Sequence, residues 1–210
     1  MSLDLQAVEL HLSGRPLVPP LTARVAAGDV LAVMGPSGSG KSSLLAFVAG
    51  LLQAPLAARG RVCLDGQDIT GWPTERRRIG LLFQDDLLFP HLSVLDNLLF
   101  AVPAGPRAAR VQRAEKALVH AGLPGMGPRQ PGSLSGGQRA RVSLLRALLA
   151  EPRALLLDEP FGKLDVALRQ QLRDFVFATL RERGVPVVLV THDEQDVPAG
   201  AQRVDLAALA

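Results

Sequence analysis

Tyrosine is absent from the 210 residues, and there is one cysteine and one tryptophan. A single thiol excludes an internal disulfide, so Cys63, within "GRVCLDG", is expected to be a small buried strand residue. His11, His91 and His120 lack metal-ligand spacing. No apolar run reaches the ~20 residues of a membrane-spanning helix. The N-terminus "MSLDLQAVELHLSG" alternates like a strand and lacks the basic start and greasy stretch of a targeting segment, which predicts a cytosolic protein. A dominant charge is missing too. With 23 basic and 20 acidic residues the net charge is +3, so the pI near 9.7 reflects a small surplus and implies no nucleic-acid partner. Arg76, Arg77 and Arg78 are expected to form a solvated turn, and Arg139, Arg141 and Arg146 to make ion pairs or line a subunit contact. Apolar residues are plentiful at 48%, with a mean hydropathy of +0.21, which points to surface covered by something besides the chain's own core.

The length suits one domain over 1–210, with a subdomain. "DVLAVMG" is a short apolar run ending in glycine, and "KSSLLAFVAGLL" then repeats apolar residues at helical spacing. Further strands are predicted at "GRVCLDG", "RIGLLFQ", "ALLLDE" and "VPVVLVTH"; the last two are uniformly apolar, as in parallel strands covered on both faces. A mainly helical subdomain is predicted at about 88–150. There "RAARVQRAEKALVHAGL" puts Val111, Ala114, Leu118 and Val119 on one face and closes at Gly122, and "PGMGPRQPGSLSGG" follows as a loop. A later helix carries Leu164, Leu168, Leu172, Phe175 and Thr179 as its predicted core stripe.

Chemistry is expected first at "GPSGSGKS", which fits G-x-x-x-x-G-K-[ST] between an apolar strand and a helix. Gly35, Pro36, Ser37, Gly38, Ser39, Gly40, Lys41, Ser42 and Ser43 form a phosphate-binding loop in this reading. Its backbone N–H groups wrap a β-phosphate, Lys41 reaches the β and γ oxygens, and the Ser42 hydroxyl ligates Mg²⁺. "ALLLDEP" brings Asp158 and Glu159 to the end of a buried strand, Asp158 to hold Mg²⁺ through water and Glu159 to polarise the attacking water.

With "LSGGQ" at 134–138, these motifs resemble the ATP-binding-cassette (ABC) ATPases. The resemblance spans nearly the whole chain. It implies an α/β fold: a P-loop NTPase core with a RecA-like, mainly parallel sheet, plus antiparallel β and helical subdomains. It also implies an ATPase with ATP and Mg²⁺ as ligands. Gln84 looks like the glutamine that senses Mg²⁺ and the transporter, Asp165 ends a "GKLD" loop, and His192 looks like the γ-phosphate switch histidine. In that family two subunits pack head to tail, so Ser135, Gly136, Gly137 and Gln138 of one copy would grip the ATP held by the other's phosphate loop.

The segment "FQDDLLFPHLSVLDNLLF" is similar to the groove of bacterial importer ATPases where a permease helix docks. Docking is expected near Gln84–Leu99, with Leu87, Leu88, Phe89 and Leu92 exposed around Pro90. "GLLFQDDLLF" and "THDEQDVPA" resemble the small ATPase of thiamine-like or sulfate-like uptake systems of Gram-negative bacteria. This implies a peripheral location on the cytoplasmic face of the inner membrane, a periplasmic substrate-binding protein in the full system, and no C-terminal regulatory domain. The alternatives are an exporter or lipoprotein-release ATPase, a soluble cassette protein, and a small P-loop kinase, which leaves "LSGGQ" unexplained. Two departures stand out. Residues 1–34 contain no Phe, Trp or Tyr to stack on adenine, and "FGKLD" replaces the more usual Ser and Ala with Gly162 and Lys163.

Overall fold

The structure is a computed structural model describing residues 1–83, 85–164 and 166–208, the Ala167 side chain excepted. Gln84 and Asp165 therefore lie outside the described residues. The elements run β1 (Leu3–Leu12), β2 (Arg15–Val25), β3 (Val30–Met34), α1 (Lys41–Ala49), β4 (Leu56–Leu64), β5 (Gln67–Asp68), α2 (Thr74–Arg77) and β6 (Ile79–Leu82). They continue through α3 (Val94–Ala101), α4 (Arg107–His120), α5 (Gly136–Leu149), β7 (Ala154–Asp158), α6 (Val166–Glu182), β8 (Val187–Val190) and β9 (Gln202–Asp205). The chain divides into two compact units: Met1–Leu81 with Arg153–Glu159 and Phe177–Ala210, and Leu82–Pro152 with Pro160–Val176.

The first unit holds two sheets. One is four-stranded in the order β2-β1-β4-β5, with the antiparallel pairings that the alternation in β1 foreshadows. The other has the order β6-β7-β8-β3-β9; β8 and β9 run parallel to β3, and β7 to β8. All of β7 and β8 is buried, as their unbroken apolar runs require. Strand β2 carries Pro16, Pro19 and Pro20, which breaks the strand pattern in the sequence. The structure tolerates them because β2 lies at a sheet edge, where a missing N–H costs no ladder bond. Helix α1 buries Leu44, Leu45, Phe47 and Val48 in one core with residues of β1, β2, β3, β4, β7 and β8. This near-complete burial fixes the start of α1, and with it the loop before it.

Arg77 corrects the expectation of a solvated arginine turn. It is 4% exposed, and its guanidinium donates to the carbonyls of Phe47 and Val48 in the last turn of α1 and to those of Thr70 and Trp72. A long arm that reaches oriented carbonyls can bury its charge without touching a carboxylate.

In the second unit α3, α4 and α5 pack on one another. Buried Asn97 organises the loop before α3, accepting from the Phe89 N–H and donating to the carbonyls of Phe89, Leu92 and Ser93. Arg141 is buried and donates to the carbonyls of Ala121 and Gly122. On α4, Ala114 and Leu118 are buried as expected, but Val119 is 57% exposed because it points off the stripe. On α6 the buried side chains include Leu172, Val176, Phe177 and Leu180, while Phe175 and Thr179 are half-buried. The stripe thus runs one residue beyond the predicted positions. Leu87 is exposed as expected, whereas Leu88, Phe89 and Leu92 are half-buried and Phe83 and Phe100 add exposed apolar surface.

Candidate nucleotide site

The predicted phosphate loop joins β3 to α1. Gly40 is the N-cap of α1 and provides no side-chain cap, so the first-turn N–H groups of the helix remain available to an anion. Only glycine fits there. Its φ is +88°, and a Cβ would lie 2.6 Å from Val18 Cγ2 and 2.9 Å from Leu17 Cγ. The β2 side chains of Leu17 and Val18 thus form an aliphatic wall against the loop, a neighbour that a hairpin some 22 residues upstream does not announce in sequence.

Lys41 is 7% exposed, and its ammonium donates to the Gly35 and Pro36 carbonyls at 2.9 and 2.8 Å. Two of its three donors are occupied inside the loop, leaving one for a ligand. The Ser39 hydroxyl is buried without a hydrogen-bond partner, a polar atom in the loop still to be satisfied. Asp158, at the end of β7, is 8% exposed, with Ser42 near its carboxyl. Burial, reinforced by the neighbouring Glu159, pushes the Asp158 carboxyl above its ordinary pKa, against the pull of Ser42 and Lys41. A serine hydroxyl near a buried carboxylate offers two hard oxygens that suit Mg²⁺, which takes few protein ligands and completes its shell with phosphate and water. Among the described residues no group of three His, Cys, Asp or Glu side chains could hold a metal by itself.

Glu159 follows directly, and its φ of +46° turns the chain out of the strand. Strand alternation therefore no longer dictates the direction of its side chain, so the two adjacent carboxylates need not point to opposite faces. Glu159 Oε1 lies 3.0 Å from His192 Nδ1. With Glu159 as a carboxylate, Nδ1 carries the proton, leaving Nε2 on the outer edge of the ring. His192 is well exposed and borders a cavity of about 480 Å³ that is also lined by Gly35, Pro36, Arg203 and Asp205. One unit thus gathers Gly35–Ser43, Asp158, Glu159 and His192.

The other predicted residues start α5. Ser135 is its N-cap: the hydroxyl accepts from the Gln138 N–H, and the Gln138 side chain accepts from the Ser135 N–H, forming a capping box. Gln138 is thereby used internally. The Ser135 hydroxyl keeps its own proton to donate, and the Gly136 and Gly137 amides lie in the first turn of a 14-residue helix. Asp86 was not foreseen. It accepts from Arg139 at 3.3 Å, and only an acidic residue 53 positions from a basic one could have hinted at it.

The family profile of ABC transporters matches residues 18–162. The chain is 49% identical to YnjD, an uncharacterized ABC transporter ATP-binding protein of Escherichia coli, over 95% of this chain and 93% of YnjD. It is 44% identical to the Fe(3+) ions import ATP-binding protein FbpC of Streptomyces coelicolor over 96% of this chain, but spans only 58% of FbpC. Among solved structures, the dimeric bacterial ABC transporter cassette MJ0796 superposes with a TM-score of 0.83 at 28% identity, covering 97% of this chain and 94% of that one. A phosphate loop, a buried Asp-Glu strand end, a paired histidine and a capped "LSGGQ" helix start, taken with these matches, make the chain an ATP-binding subunit of the ABC transporter family.

Proposed function

We propose that this chain is the ATP-hydrolysing subunit of a bacterial importer, working as a homodimer on the cytoplasmic face of the inner membrane. The Glu159–His192 contact beside the Ser42–Asp158 pair carries the reading. It puts a base, an orienting imidazole and a hard-oxygen pair in one unit with a lysine-bearing phosphate loop. Lys41 and the first-turn N–H groups of α1 bind the β- and γ-phosphates. Ser42 and Asp158 would hold Mg²⁺, which supplies charge neutralisation between the phosphates. Glu159 orients and deprotonates the attacking water, and His192, steered by Glu159, presents Nε2 to the terminal phosphoryl group.

The start of α5 has oriented neutral donors without a lysine, which suits it to complete the site of a second copy packed head to tail. The dimeric MJ0796 cassette supports this arrangement. In the same proposal Gln84 senses Mg²⁺ and the permease, and Asp165 lies at the subunit contact. The import direction draws on FbpC, an import protein by name. The exposed Phe83, Leu87 and Phe100 offer the apolar surface on which a permease helix would dock. Cargo would then be chosen by the permease and a periplasmic binding protein.

Glu159→Gln tests the assignment. Hydrolysis should fall at least ~100-fold with ATP binding preserved, and the variant should form an ATP-dependent dimer visible by light scattering. Near-normal turnover would refute the role of Glu159.

A further inference from the structure

Lys163, which departs from the family's usual small residue, is held close to two other features of its unit. Its Nζ lies 3.9 Å from Oδ1 of both Asp85 and Asp86. Asp86 is the more buried carboxylate, 16% exposed against 87% for Asp85, and its second oxygen lies 3.3 Å from Arg139 Nε. Arg139 belongs to the first turns of α5 and also donates to the Leu134 carbonyl at 2.7 Å, one residue before the Ser135 cap. The backbone closes the same circuit. A Cβ on Gly137 would stand 3.3 Å from the Lys163 carbonyl oxygen, so this glycine lets the 161–164 loop rest on the start of α5. Downstream, Arg146 donates to the Leu87 carbonyl at 2.8 Å, and its guanidinium lies 5.5 Å from the Phe89 ring centroid, fastening residues 86–89 to the same helix.

We propose that Lys163 is a positioning residue: through Asp86, which it shares with Arg139, it clamps the 161–164 loop to the "LSGGQ" helix start, so that both meet a second copy as one rigid edge. This rests on the dimer reading above, in which that edge completes the partner copy's site. The clamp orders a surface before association and touches no reacting atom. Its loss should therefore raise the ATP concentration needed for dimer closure. The pairs are partly exposed, so each is worth little by itself and is weakened by salt; because both copies carry the clamp, its effect counts twice.

The test measures the ATP concentration giving half-maximal dimer in the Glu159→Gln background, by light scattering. Adding Lys163→Gln should raise it about three- to tenfold, and Lys163→Arg should restore it to within about twofold. Asp86→Asn should raise it at least as much, since it also loses the Arg139 pair, and the Lys163→Gln, Asp86→Asn pair should fall short of the sum of the two changes, since both break the Lys163–Asp86 contact. High salt should shift the half-point more when Lys163 is retained than when it carries the Lys163→Gln change. Should Glu159→Gln dimerise and Lys163→Gln leave its half-point unchanged, or should the two effects add fully, the clamp is refuted and the dimer stands. A Glu159→Gln protein that stays monomeric in saturating ATP would overturn the dimer reading and the clamp together.

Discussion

Arg77→Met removes a buried fork of donors while preserving most of the side-chain volume. In the native chain the guanidinium serves four carbonyls, two of them at the C-terminal end of α1, the helix whose start presents the phosphate loop. One of the four is buffered: the Phe47 carbonyl also accepts from the Gly50 N–H at 3.0 Å. That leaves three carbonyls without the donor that satisfied them, each costing ~1–3 kcal/mol when buried. Relief from burying the guanidinium charge offsets part of this, for a net loss of about 3–4 kcal/mol. In a chain of this length that lowers the melting temperature by roughly 10 °C, readable by circular dichroism or dye-binding melts. Arg77→Lys should recover only part of the loss, because a point charge cannot reach both the α1 carbonyls and the Thr70 and Trp72 carbonyls. A Met variant melting within about 2 °C of the parent would refute the reasoning. Full recovery by Lys would show that charge at the helix end matters and the fork does not.

Asp158→Asn should melt higher than the parent at neutral pH without nucleotide, yet lose the extra stabilisation that ATP with Mg²⁺ confers on the parent. The sign follows from burial: the folded-state pKa is raised, so the ionised carboxyl destabilises the fold. This penalty is fully present above the folded pKa and vanishes as pH falls to the ordinary carboxylate value near ~3.9. Melts of both proteins from neutral pH to about pH 4 should therefore converge, and a parallel offset would count against the desolvation argument. Base selectivity should be weak, because residues 1–34 provide no aromatic ring and aliphatic Leu17 and Val18 stand against the loop. A missing ring partner is worth ~0.5–1.5 kcal/mol, so ATP hydrolysis much faster than GTP hydrolysis at matched subsaturating concentrations would contradict it.

What could be read from the chain divides along physical lines. Strands β3, β7 and β8 were legible because burial on both faces demands an uninterrupted apolar run, and their ends were legible because glycines, lysine and carboxylates occur there at chemically constrained spacings. Edge strands β2 and β9 were not: β2 hides behind prolines that only an edge tolerates, and β9 is four mostly polar residues. Arg77 was misread for another reason. Three consecutive arginines look solvated in one dimension, and nothing local reveals that the middle one can reach carbonyls 29 and 30 residues upstream. Ser135 and Gln138 carried the S-x-x-Q spacing of a capping box as well as the signature of a ligand site. The structure reconciles the two: spending Gln138 on the cap holds the Ser135 hydroxyl and the glycine amides at the helix start in fixed orientation. In the proposed head-to-tail dimer, donors preorganised in this way would need no reorganisation when a terminal phosphate arrives, which would remove the need for a second lysine.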